Sequence, residues 1–435
     1  MKIYSSKIVK IFFVALAASF LAVVIILKFG PIFPASLASA QIIANWTERQ
    51  PAGNNDKYWG AVASDADGSN LIAGVGGGSN LVSGRLYTSS DSGATWTERQ
   101  PAGDVDKNWG KVASDSTGTN LVAAAYLARL YASSNSGADW TELTPAGATD
   151  KYWYGLACDS DCSTIIAGQA IGRLYISSDS GATWTERQPA GDVYINWYLT
   201  ASSSDGTKLM AGVNGGRLYT SSDSGATWTE RQPAGNVDKS WWTAASSSDG
   251  TKLIAGVYGG RLYTSSDSGA TWNETRPVGD TNQYWYSVSS DAAGIRLIAS
   301  AAFGRIYISS DSGASWSETQ PAGDVDKYWE SVASDSTGTN FIAGAFSGRL
   351  YSGVYTESIT IKPALTLKSI TIPGDRPVNW ASFGIPTSGN WNTAASDADG
   401  SNLIAGLYGG RLYISSNYGA TWTETRPAGD SNQWW

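Results

Sequence analysis

The sequence predicts an all-β protein, a β-propeller of four-stranded antiparallel blades, seven to eight in number. The pattern SxDxGxxW recurs in six copies spaced by 44 residues, from Ser89 to Ser309, and four strand-like stretches separated by glycine- and aspartate-rich turns fill each period. Fixed periods of this length are typical of propellers and solenoids. Four antiparallel strands per period favour the propeller, whose ring hides all but short sheet edges. A linear β-solenoid is the alternative, but it usually has shorter coils of parallel strands.

The chain begins with features of an export segment. Lysines precede an uncharged apolar run at residues 11–27, and small residues then lead to Gln41. This order is typical of a secretory signal, although the run also approaches the length that spans a membrane. We predict that residues 1–40 are a signal peptide cleaved before Gln41, or a membrane anchor. In both cases residues 41–435 would be secreted or held at the cell surface.

The period that begins at Trp241 shows the four strands in order. WWTAASSS is the first strand, KLIAGVY the second, RLYTSS the third and TWNETR the fourth. The turns DGT, GG and DSGA supply positive φ or aspartate-capped turns, and Pro277 and Gly279 end the fourth strand. We expect the first-to-second and third-to-fourth turns on one face of the ring. The second-to-third turns and the loops between blades then lie on the other face.

Tryptophans mark eight first strands, which makes eight the literal blade count. Residues 352–390 interrupt the array, because an insertion replaces one SxDxGxxW element before the seventh copy at Ser415. NWTERQPAG, from Asn45, reads as a spare fourth strand that could close the ring by completing the last blade. The chain ends at Trp435, where another first strand would start, so a truncated tail is an open alternative. The first-strand tryptophans are Trp59, Trp109, Trp153, Trp197, Trp241, Trp285, Trp329 and Trp391.

The SxDxGxxW pattern is predicted to build the hairpin between the third and fourth strands. Its aspartate can accept backbone N–H bonds across its own turn, and its glycine can take positive φ. The tryptophan returns on the fourth strand and packs against the blade. Asparagine replaces aspartate twice and can still cap such a turn, which favours a structural role. The capping residues are Asp91, Asn135, Asp179, Asp223, Asp267, Asp311 and Asn417.

The stretch SSDSGATW resembles the Asp-box, or BNR, repeat of sialidases, sortilin-type receptors, some glucanases and the photosystem II assembly factors. Seven matches in register cover most of the chain from Asn45 to Trp435. The resemblance implies a β-propeller but does not choose among functions, because these differ widely within the fold. WD repeats resemble the chain less, since their Gly-His and Trp-Asp pairs are absent.

Composition excludes several kinds of site. The chain has no histidine, which removes histidine-based triads, zinc sites and general bases. Its net charge of −8 argues against a nucleic-acid partner. Cys158 and Cys162 could form a local disulfide in an exported protein; free thiols are the alternative, and CDSDC is a weak metal signal. We predict no metal, no cofactor and a monomer.

The arginines do not form the arginine triad that a sialidase-like enzyme requires. They fill two repeated slots, so no three of them are expected to converge from non-equivalent places. Pairing Tyr263 with Trp272 would put Arg261 opposite Glu274, as a cross-strand ion pair. The same register predicts Arg85–Glu98, Arg129–Glu142, Arg173–Glu186, Arg217–Glu230, Arg305–Glu318 and Arg411–Glu424, whereas Arg349 would have lost its partner.

Paired carboxylates for a glycosidase could come from the GDVDK loop, for example Asp104 with Asp106. The loop recurs with other residues at the same places, which is typical of a solvated turn. We therefore predict no catalytic residue.

The copies differ most in the second-to-third turns. Aromatic side chains there could stack on sugar rings or grip a protein at a central mouth, or they could merely plug the channel. Aromatic pairs between blades, such as Trp241 with Trp242, are instead predicted to pack blades together. The candidate ligand-face residues are Tyr126, Asn214, Tyr258, Phe303, Phe346 and Tyr408.

These features favour an exported, non-catalytic Asp-box propeller that serves as an extracellular binding or interaction scaffold for a glycan or a protein. One alternative is a glycoside hydrolase of the sialidase type. Another, by resemblance to the photosystem assembly factors, is a chaperone-like assembly protein outside the cytoplasm.

Overall fold

The computed structural model describes residues 38–77, 82–361, 391–397, 401–417, 421–427 and 429. Every regular element among them is a β-strand, which confirms the all-β prediction. The chain divides into two compact units, one of Ala38–Thr360 and one that contains the described residues from Ile361 onward. No helix of the described residues is long and apolar enough to cross a membrane. The predicted export run and most of the predicted insertion lie outside the described residues.

The first unit consists of seven four-stranded antiparallel blades. Blade 1 is β2–β5, blade 2 β6–β9, blade 3 β10–β13, blade 4 β14–β17, blade 5 β18–β21, blade 6 β22–β25, and blade 7 β26–β28 with β1. The strands are β1 (Ala38–Arg49), β2 (Ala61–Ser64), β3 (Leu71–Gly74), β4 (Leu86–Ser89), β5 (Thr97–Arg99), β6 (Trp109–Ser114), β7 (Leu121–Ala125), β8 (Leu130–Ser133), β9 (Thr141–Leu143), β10 (Trp153–Cys158), β11 (Ile165–Gln169), β12 (Leu174–Ser177), β13 (Thr185–Arg187), β14 (Trp197–Ser202), β15 (Leu209–Gly216), β16 (Leu218–Ser221), β17 (Thr229–Arg231), β18 (Lys239–Ser246), β19 (Leu253–Gly260), β20 (Leu262–Ser265), β21 (Asn273–Thr275), β22 (Gln283–Ser290), β23 (Leu297–Ala302), β24 (Ile306–Ser309), β25 (Ser317–Thr319), β26 (Trp329–Ser334), β27 (Asn340–Ala345) and β28 (Leu350–Ile361).

The first strand of the chain closes the ring. β1 pairs with β28, so that blade 7 has the order β26-β27-β28-β1, and β26 in turn contacts β2 of blade 1. Trp46 of β1 lies so close to Gly353 that a Cβ there would come within 2.6 Å of the indole. Ser331 Oγ of blade 7 donates to the carbonyl of Trp59 in blade 1 at 2.9 Å. The spare N-terminal strand therefore completes the interrupted repeat and not the C-terminal one.

A buried tryptophan lies at or near the start of each first strand of the ring and packs between two blades. Trp153 shares one apolar cluster with Leu130 of blade 2 and Ile165 of blade 3, and its Nε1 donates to the carbonyl of Ala128 in blade 2 at 3.2 Å. Truncating a buried indole costs about 3–5 kcal/mol, so these contacts hold neighbouring blades together. The seven tryptophans, none more than 2% exposed, are Trp59, Trp109, Trp153, Trp197, Trp241, Trp285 and Trp329.

The SxDxGxxW turn is held by its own side chains. Asp267 Oδ1 accepts the Thr271 N–H at 2.8 Å, and Oδ2 accepts the Thr271 hydroxyl at 2.6 Å. Gly269 takes a φ of +84°, and its carbonyl accepts the indole N–H of Trp272 at 3.0 Å. The bonds from Thr271 hold the pKa of Asp267 down to about 2. All seven predicted capping residues accept the backbone N–H four positions further on at 2.8 Å.

The register of the third and fourth strands differs from the predicted one by two residues. Tyr263 pairs with Glu274, not with Trp272, because the tryptophan precedes the short ladder of β21. Arg261 consequently approaches Glu274 only to 3.9 Å. Other predicted arginine–glutamate pairs lie at 3.5–3.9 Å, namely Arg85–Glu98, Arg129–Glu142, Arg173–Glu186, Arg305–Glu318 and Arg411–Glu424. Arg217 contacts Asp238 at 2.7 Å instead of the predicted Glu230.

The nearer partners of these arginines lie in the loops between blades. Arg305 Nη2 is 2.8 Å from Asp324 and its Nε is 2.7 Å from Asp326. Arg349 was expected to lack a partner, but β1 supplies Glu48 at 3.7 Å and the following loop supplies Asp56 at 2.9 Å. The arginines therefore fasten the GDVDK loops to the third strands.

The second unit contains one further four-stranded sheet, of β29 (Trp391–Ser396), β30 (Leu403–Leu407), β31 (Leu412–Ser415) and β32 (Thr423–Thr425). Ile404 and Ile414 in this sheet are 38% and 44% exposed, whereas Ile254, at the place of Ile404 in blade 5, is 1% exposed. The described residues thus form eight blade-like sheets, seven of them in the closed ring, in agreement with the predicted range.

Both cysteines of the chain lie in blade 3. Cys158 ends β10, and it is joined to Cys162 by a disulfide in the structure. Cys162 is buried with the apolar side chains between blades 2 and 3. The bond therefore constrains a first-to-second turn and lies away from the second-to-third turns.

Candidate functional site

The ring has two faces built from different turns. The Ser92 N–H donates to the Ser69 carbonyl at 2.9 Å, which joins the SxDxGxxW turn to the first-to-second turn. Gly84 and Lys107 exchange backbone bonds of 2.9 and 3.1 Å, which join the second-to-third turn to the loop between blades. We call the face with the second-to-third turns and inter-blade loops the mouth face.

A β-bulge at the start of the first strand directs one side chain per blade toward the central channel. In blade 5, Trp241 pairs with Val257 and Thr243 with Gly256, so Trp242 is left outside the ladder. Blades 2 to 7 share this register shift. A bulge turns the side chain of its extra residue away from the sheet. The bulge residues are Gly110, Tyr154, Tyr198, Trp242, Tyr286 and Glu330, and Gly60 has the same place in blade 1.

The bulge residues of blades 3 to 6 form an aromatic half-ring. Tyr154 stacks on Tyr198 with ring centroids 4.0 Å apart, and Trp242 lies 4.9 Å from Tyr198 and 5.2 Å from Tyr286. Tyr286 continues to Tyr328 at 5.0 Å, and the two hydroxyls are hydrogen-bonded. Burial raises the pKa of Tyr328 to about 12 and also raises the pKa of Tyr286. Both phenols are therefore neutral near pH 7 and present uncharged rings.

The opposite side of the mouth carries two charged groups. Glu330 is 8% exposed, and its Oε2 has no hydrogen-bond partner among the described residues. Lys111, which follows Gly110, is partly buried, and both side chains line a channel cavity of about 140 Å³. No ion pair joins Lys111 to Glu330 in the part of the chain that the structure describes. Burial raises the pKa of Glu330 to about 7 against the opposing charge of Lys111, and burial lowers the pKa of Lys111.

Glycines make room beside these charges for different reasons. A Cβ at Gly77 would lie 2.1 Å from Glu330 Oε1, so any other residue there would displace the carboxylate from its present position. A Cβ at Gly60 would lie 1.7 Å from the carbonyl oxygen of Gly76, so its own blade requires glycine. A Cβ at Gly110 would meet no atom within 4 Å. Gly110 therefore leaves an open gap in the ring of bulge residues.

Four of the predicted ligand-face residues join the aromatic cluster at the mouth. Tyr126 and Tyr258 contact the half-ring, the former through a hydroxyl bond of 2.6 Å and the latter 4.9 Å from the indole of Trp242. Phe303 and Phe346 contact Tyr328 at centroid distances of 4.7 and 4.8 Å.

The other two predicted ligand residues lie elsewhere. Asn214 pairs with Ser240 in the bridge between blades 4 and 5, and its backbone N–H donates to the Asn196 carbonyl at 2.9 Å. Tyr408 belongs to the second unit and is 50% exposed.

Exposed apolar side chains of the ring gather on the mouth face. Apart from Val354 and Tyr284, which lies near the start of β22, the exposed large apolar side chains of the described ring stand in second-to-third turns or inter-blade loops: Val105, Leu127, Tyr152, Ile171, Val193, Tyr194, Val237, Phe303 and Val325. Ile171 and Phe303 keep left-handed φ values of +50° and +55°, where blade 4 has Gly215. This backbone costs about 1–2 kcal/mol per non-glycine residue. Such strain is concentrated at functional sites in proteins generally.

The carboxylates considered for glycosidase chemistry are engaged in loop structure. Asp104 and Asp106 contact Arg85 at 2.6 and 2.7 Å, and their counterparts in blade 6 contact the equivalent arginine. Among the described channel-lining residues, no second carboxylate accompanies Glu330. No group of three or more acidic or cysteine ligands suited to a metal occurs among the described residues. The arrangement lacks the carboxylate pair on which glycoside hydrolysis usually depends.

The sequence analysis missed the bulge residues. It assigned Trp242 to packing between blades together with Trp241. Trp242 does contact rings of the neighbouring blades, Tyr198 and Tyr286, but unlike Trp241 it also lines the channel. A signal was present: the residue after the constant tryptophan is Gly, Gly, Tyr, Tyr, Trp, Tyr and Glu through the seven ring blades. A variable position beside an invariant one indicates a side chain that the repeat itself does not require.

A larger cavity of about 590 Å³ lies apart from the mouth, between the outer strands of blades 5 and 6. In blade 4 the equivalent space is filled by Arg231, whose Nε donates to Thr220 Oγ1 at 2.7 Å. Blade 5 has Thr275 and Thr264 at these two places. The cavity therefore lies where blade 5 carries threonine in place of that arginine.

No family model matches the chain, and no curated protein is similar to it in sequence. Solved structures are similar in fold. YCF48 bound to a D1 peptide has a TM-score of 0.54 at 14% identity, with 72% of this chain and 96% of that chain covered. A GH74 enzyme from Niastella koreensis has a TM-score of 0.55 at 18% identity, covering 89% and 68%. The β-propeller domain of Cps50 (Swd1) from Myceliophteria thermophila has 0.56 at 14%, covering 73% and 100%. At these identities the likeness concerns the fold alone, and it agrees with the ring described above: the chain is a β-propeller.

Proposed function

We propose that the protein is an Asp-box β-propeller that works outside the cytoplasm as a non-catalytic binding scaffold, with a polypeptide ligand docked on the mouth face. The carrying observation is the gathering of exposed apolar side chains on that face. Large exposed apolar patches mark protein interaction surfaces.

The mouth face is also rigid, which favours binding. Arg85 and its equivalents fasten each inter-blade loop to a third strand, and the aromatic rings of the half-ring support one another through stacked and edge contacts. A surface that is ordered before it binds loses less conformational entropy on association. The solved structure of YCF48 with a D1 peptide supports the choice of a peptide ligand for a propeller.

Peptide binding can be tested with a random heptapeptide library displayed on phage and selected on the full-length protein. Gly110→Tyr should obstruct the mouth, because a Cβ there meets open space and the ring can point into the gap. Ala226→Tyr adds the same side chain to an exposed SxDxGxxW turn on the other face and is the matched control. We expect selected peptides to bind the wild type and Ala226→Tyr alike, and Gly110→Tyr at least tenfold more weakly. Failure to enrich any peptide, or equal binding by Gly110→Tyr, would refute the proposal.

Export can be tested by cell fractionation and N-terminal sequencing of the mature protein. Cleavage before Gln41 would leave Gln41–Arg49 of β1, including Trp46, so the ring could still close. We expect the protein outside the cytoplasm; a cytoplasmic protein with an intact N-terminus would contradict this part of the proposal.

The non-catalytic part can be tested with a panel of fluorogenic glycosides. We expect no turnover. Turnover that disappears in Glu330→Gln, the variant of the buried channel carboxylate, would make the protein a glycosidase.

A further inference from the structure

We propose that the polypeptide ligand inserts one basic side chain, lysine or arginine, into the channel mouth, where its cationic group pairs with the Glu330 carboxylate and lies against the aromatic half-ring. This inference rests on the proposed function, because it names the feature of the polypeptide that the mouth recognises. It is carried by a buried carboxylate without a partner, by the chemistry of the rings and by the size of the channel.

The first argument is the state of Glu330. Its Oε2 is buried and has no hydrogen-bond partner among the described residues, although Lys111 lines the same cavity. Gly77 leaves room for the carboxylate on the blade 1 side, since a Cβ there would lie 2.1 Å from Oε1. A buried polar group without a partner costs about 1–3 kcal/mol, and more when it is charged. A cation brought by the ligand would supply the missing interaction.

The second argument is that the surrounding rings favour a cation. Tyr154, Tyr198, Trp242 and Tyr286 line the channel together with Glu330. Aromatic faces attract lysine and arginine head groups, and the attraction rises to about 2 kcal/mol where water is excluded. The rings also contact the methylene groups of a long basic side chain. An acidic side chain would meet the same rings and the Glu330 charge unfavourably.

The third argument is size and overall charge. The half-ring and Glu330 line a cavity of about 30 Å³, the volume of roughly one water molecule in the liquid. A second channel cavity of about 140 Å³, which shares Lys111 and Glu330 with the first, has room for only a few water molecules, at roughly 30 Å³ each. It therefore suits one slender side chain better than a folded element. The net charge of −8 attracts a basic partner over longer distances.

The Lys111 ammonium group repels a basic ligand. Removing it should therefore strengthen binding, whereas removing the Glu330 charge should weaken it. Lys111 lines the same cavity as Glu330 without forming an ion pair with it in the described part of the chain. Replacing its ammonium group by the isosteric thioether of methionine would remove the competing cation. Lys111→Met should therefore bind a basic ligand more tightly, at least threefold.

The experiment uses the peptides selected from the heptapeptide library on the full-length protein. We expect lysine or arginine to be enriched at one position, and its replacement by norleucine to weaken binding at least tenfold. Glu330→Gln should weaken binding of the basic peptide by a similar factor and leave the norleucine peptide unchanged, so that the two changes are coupled. Glu318→Gln, a matched change of an exposed outer-strand glutamate, should have no effect.

The outcomes separate this inference from the proposed function. Peptides that lose binding in Gly110→Tyr but carry no enriched basic residue, or that bind Glu330→Gln as well as wild type, would leave a polypeptide-binding mouth and overturn the basic-side-chain inference. If no peptide is selected, both fail. If Glu330→Gln does not fold, two measurements remain. The inference is refuted if the norleucine peptides bind the wild type as tightly as the basic peptides do and Lys111→Met binds the basic peptides no more tightly than the wild type.

Discussion

Glu330 carries a carboxylate in a place that the ring keeps from solvent, and its ionisation therefore opposes folding. Burial moves its pKa from 4.5 to about 7, and the charge of Lys111 offsets only part of this effect. Neutral glutamic acid is accordingly the form that the unliganded ring prefers in mildly acidic solution. A carboxylate retained at such a cost, where the other described channel-lining residues include no second one, indicates a role other than stability.

The stability of the protein should depend on pH through Glu330. Because the folded pKa is raised above the unfolded one, the contribution of this group is complete below about pH 4.5 and is lost as the pH rises through about 7. Glu330→Gln should therefore exceed the wild type in unfolding free energy above pH 7, by up to about 3 kcal/mol. Urea unfolding of both proteins at pH 4.5 and pH 8 measures the difference. A difference independent of pH would contradict the burial of the charge.

The capping aspartates should respond to acid in the opposite sense. The Thr271 bonds hold the pKa of Asp267 at about 2, so its stabilising contribution is present above about pH 4 and is lost as the pH falls through 2. Asp267→Asn should be nearly neutral, because Asn135 already accepts the equivalent backbone N–H at 2.8 Å. Asp267→Ala should lower the urea midpoint at pH 7. An equal fall of the urea midpoint in both variants would mean that the negative charge of Asp267, and not its hydrogen bond across the turn, stabilises the protein.

At the scale of the elements, the second-to-third turns differ in the type of residue that adopts the left-handed φ. Blades 4 and 5 use Gly215 and Gly259, which adopt positive φ without strain. Blades 3 and 6 use Ile171 and Phe303 instead, both of them largely exposed. These turns therefore keep an apolar side chain on the mouth face at the expense of backbone energy.

Replacing Ile171 by glycine should separate stability from binding. The variant relieves the left-handed strain of a β-branched residue, so we expect the unfolding free energy to stay the same or rise by roughly 1 kcal/mol, while affinity for the selected peptides falls. Ser347→Gly is the control, since Ser347 has a φ of +51° in the same turn of blade 7 and presents no apolar group. Affinity that changes equally in both variants would assign the effect to the turn backbone and not to the side chain.

The strands and turns were predictable because each one carries a local signal in the sequence. The register between the third and fourth strands was not predictable in this way. Four strands per period and the SxDxGxxW hairpins follow from glycine, aspartate and strand-like runs that lie within a few residues of one another. The two-residue error at Tyr263 arose because a tryptophan that packs beside the turn was counted into the ladder. The bulge at Trp242 leaves no mark in hydrophobic alternation, so a channel residue and a packing residue looked alike.

The closest partners of the arginines were unpredictable for a different reason. The loop aspartates, such as Asp326 against Arg305, lie beyond the next hairpin in sequence and approach only when the blade turns back toward its neighbour. Cross-strand reasoning within one hairpin could find Glu318 at 3.7 Å but not the nearer group.

At the scale of the whole molecule, the ring is complete within Ala38–Thr360 and takes its last strand from its beginning. Sequence could not decide which blade the N-terminal strand joins, because NWTER resembles the fourth strands of all blades, including TWTET of the C-terminal sheet. Among the described residues, β1 is the strand that takes the fourth place beside β28 in the interrupted blade.

Truncations should therefore act unequally. A chain that ends at residue 361 keeps every described contact of the ring, so its urea midpoint should equal that of the full chain. A chain that lacks residues 1–49 loses β1 and with it the backbone partners of β28. It also loses the contact of Trp46 with Gly353 and the contact of Glu48 with Arg349, so its urea midpoint should fall. Equal losses in both would mean that the C-terminal sheet supports the ring.

The bulge after each first-strand tryptophan has a consequence for how recognition can diverge. Its residue takes part neither in the ladder nor in the tryptophan packing between blades, and at Gly110 even the space for a side chain is free. Gly60 must stay glycine because a Cβ there would meet the Gly76 carbonyl, but substitutions at sites such as Gly110 can accumulate one at a time with little effect on the blades. A single scaffold could in this way acquire a new binding preference, or be redesigned for one, by changing a handful of codons.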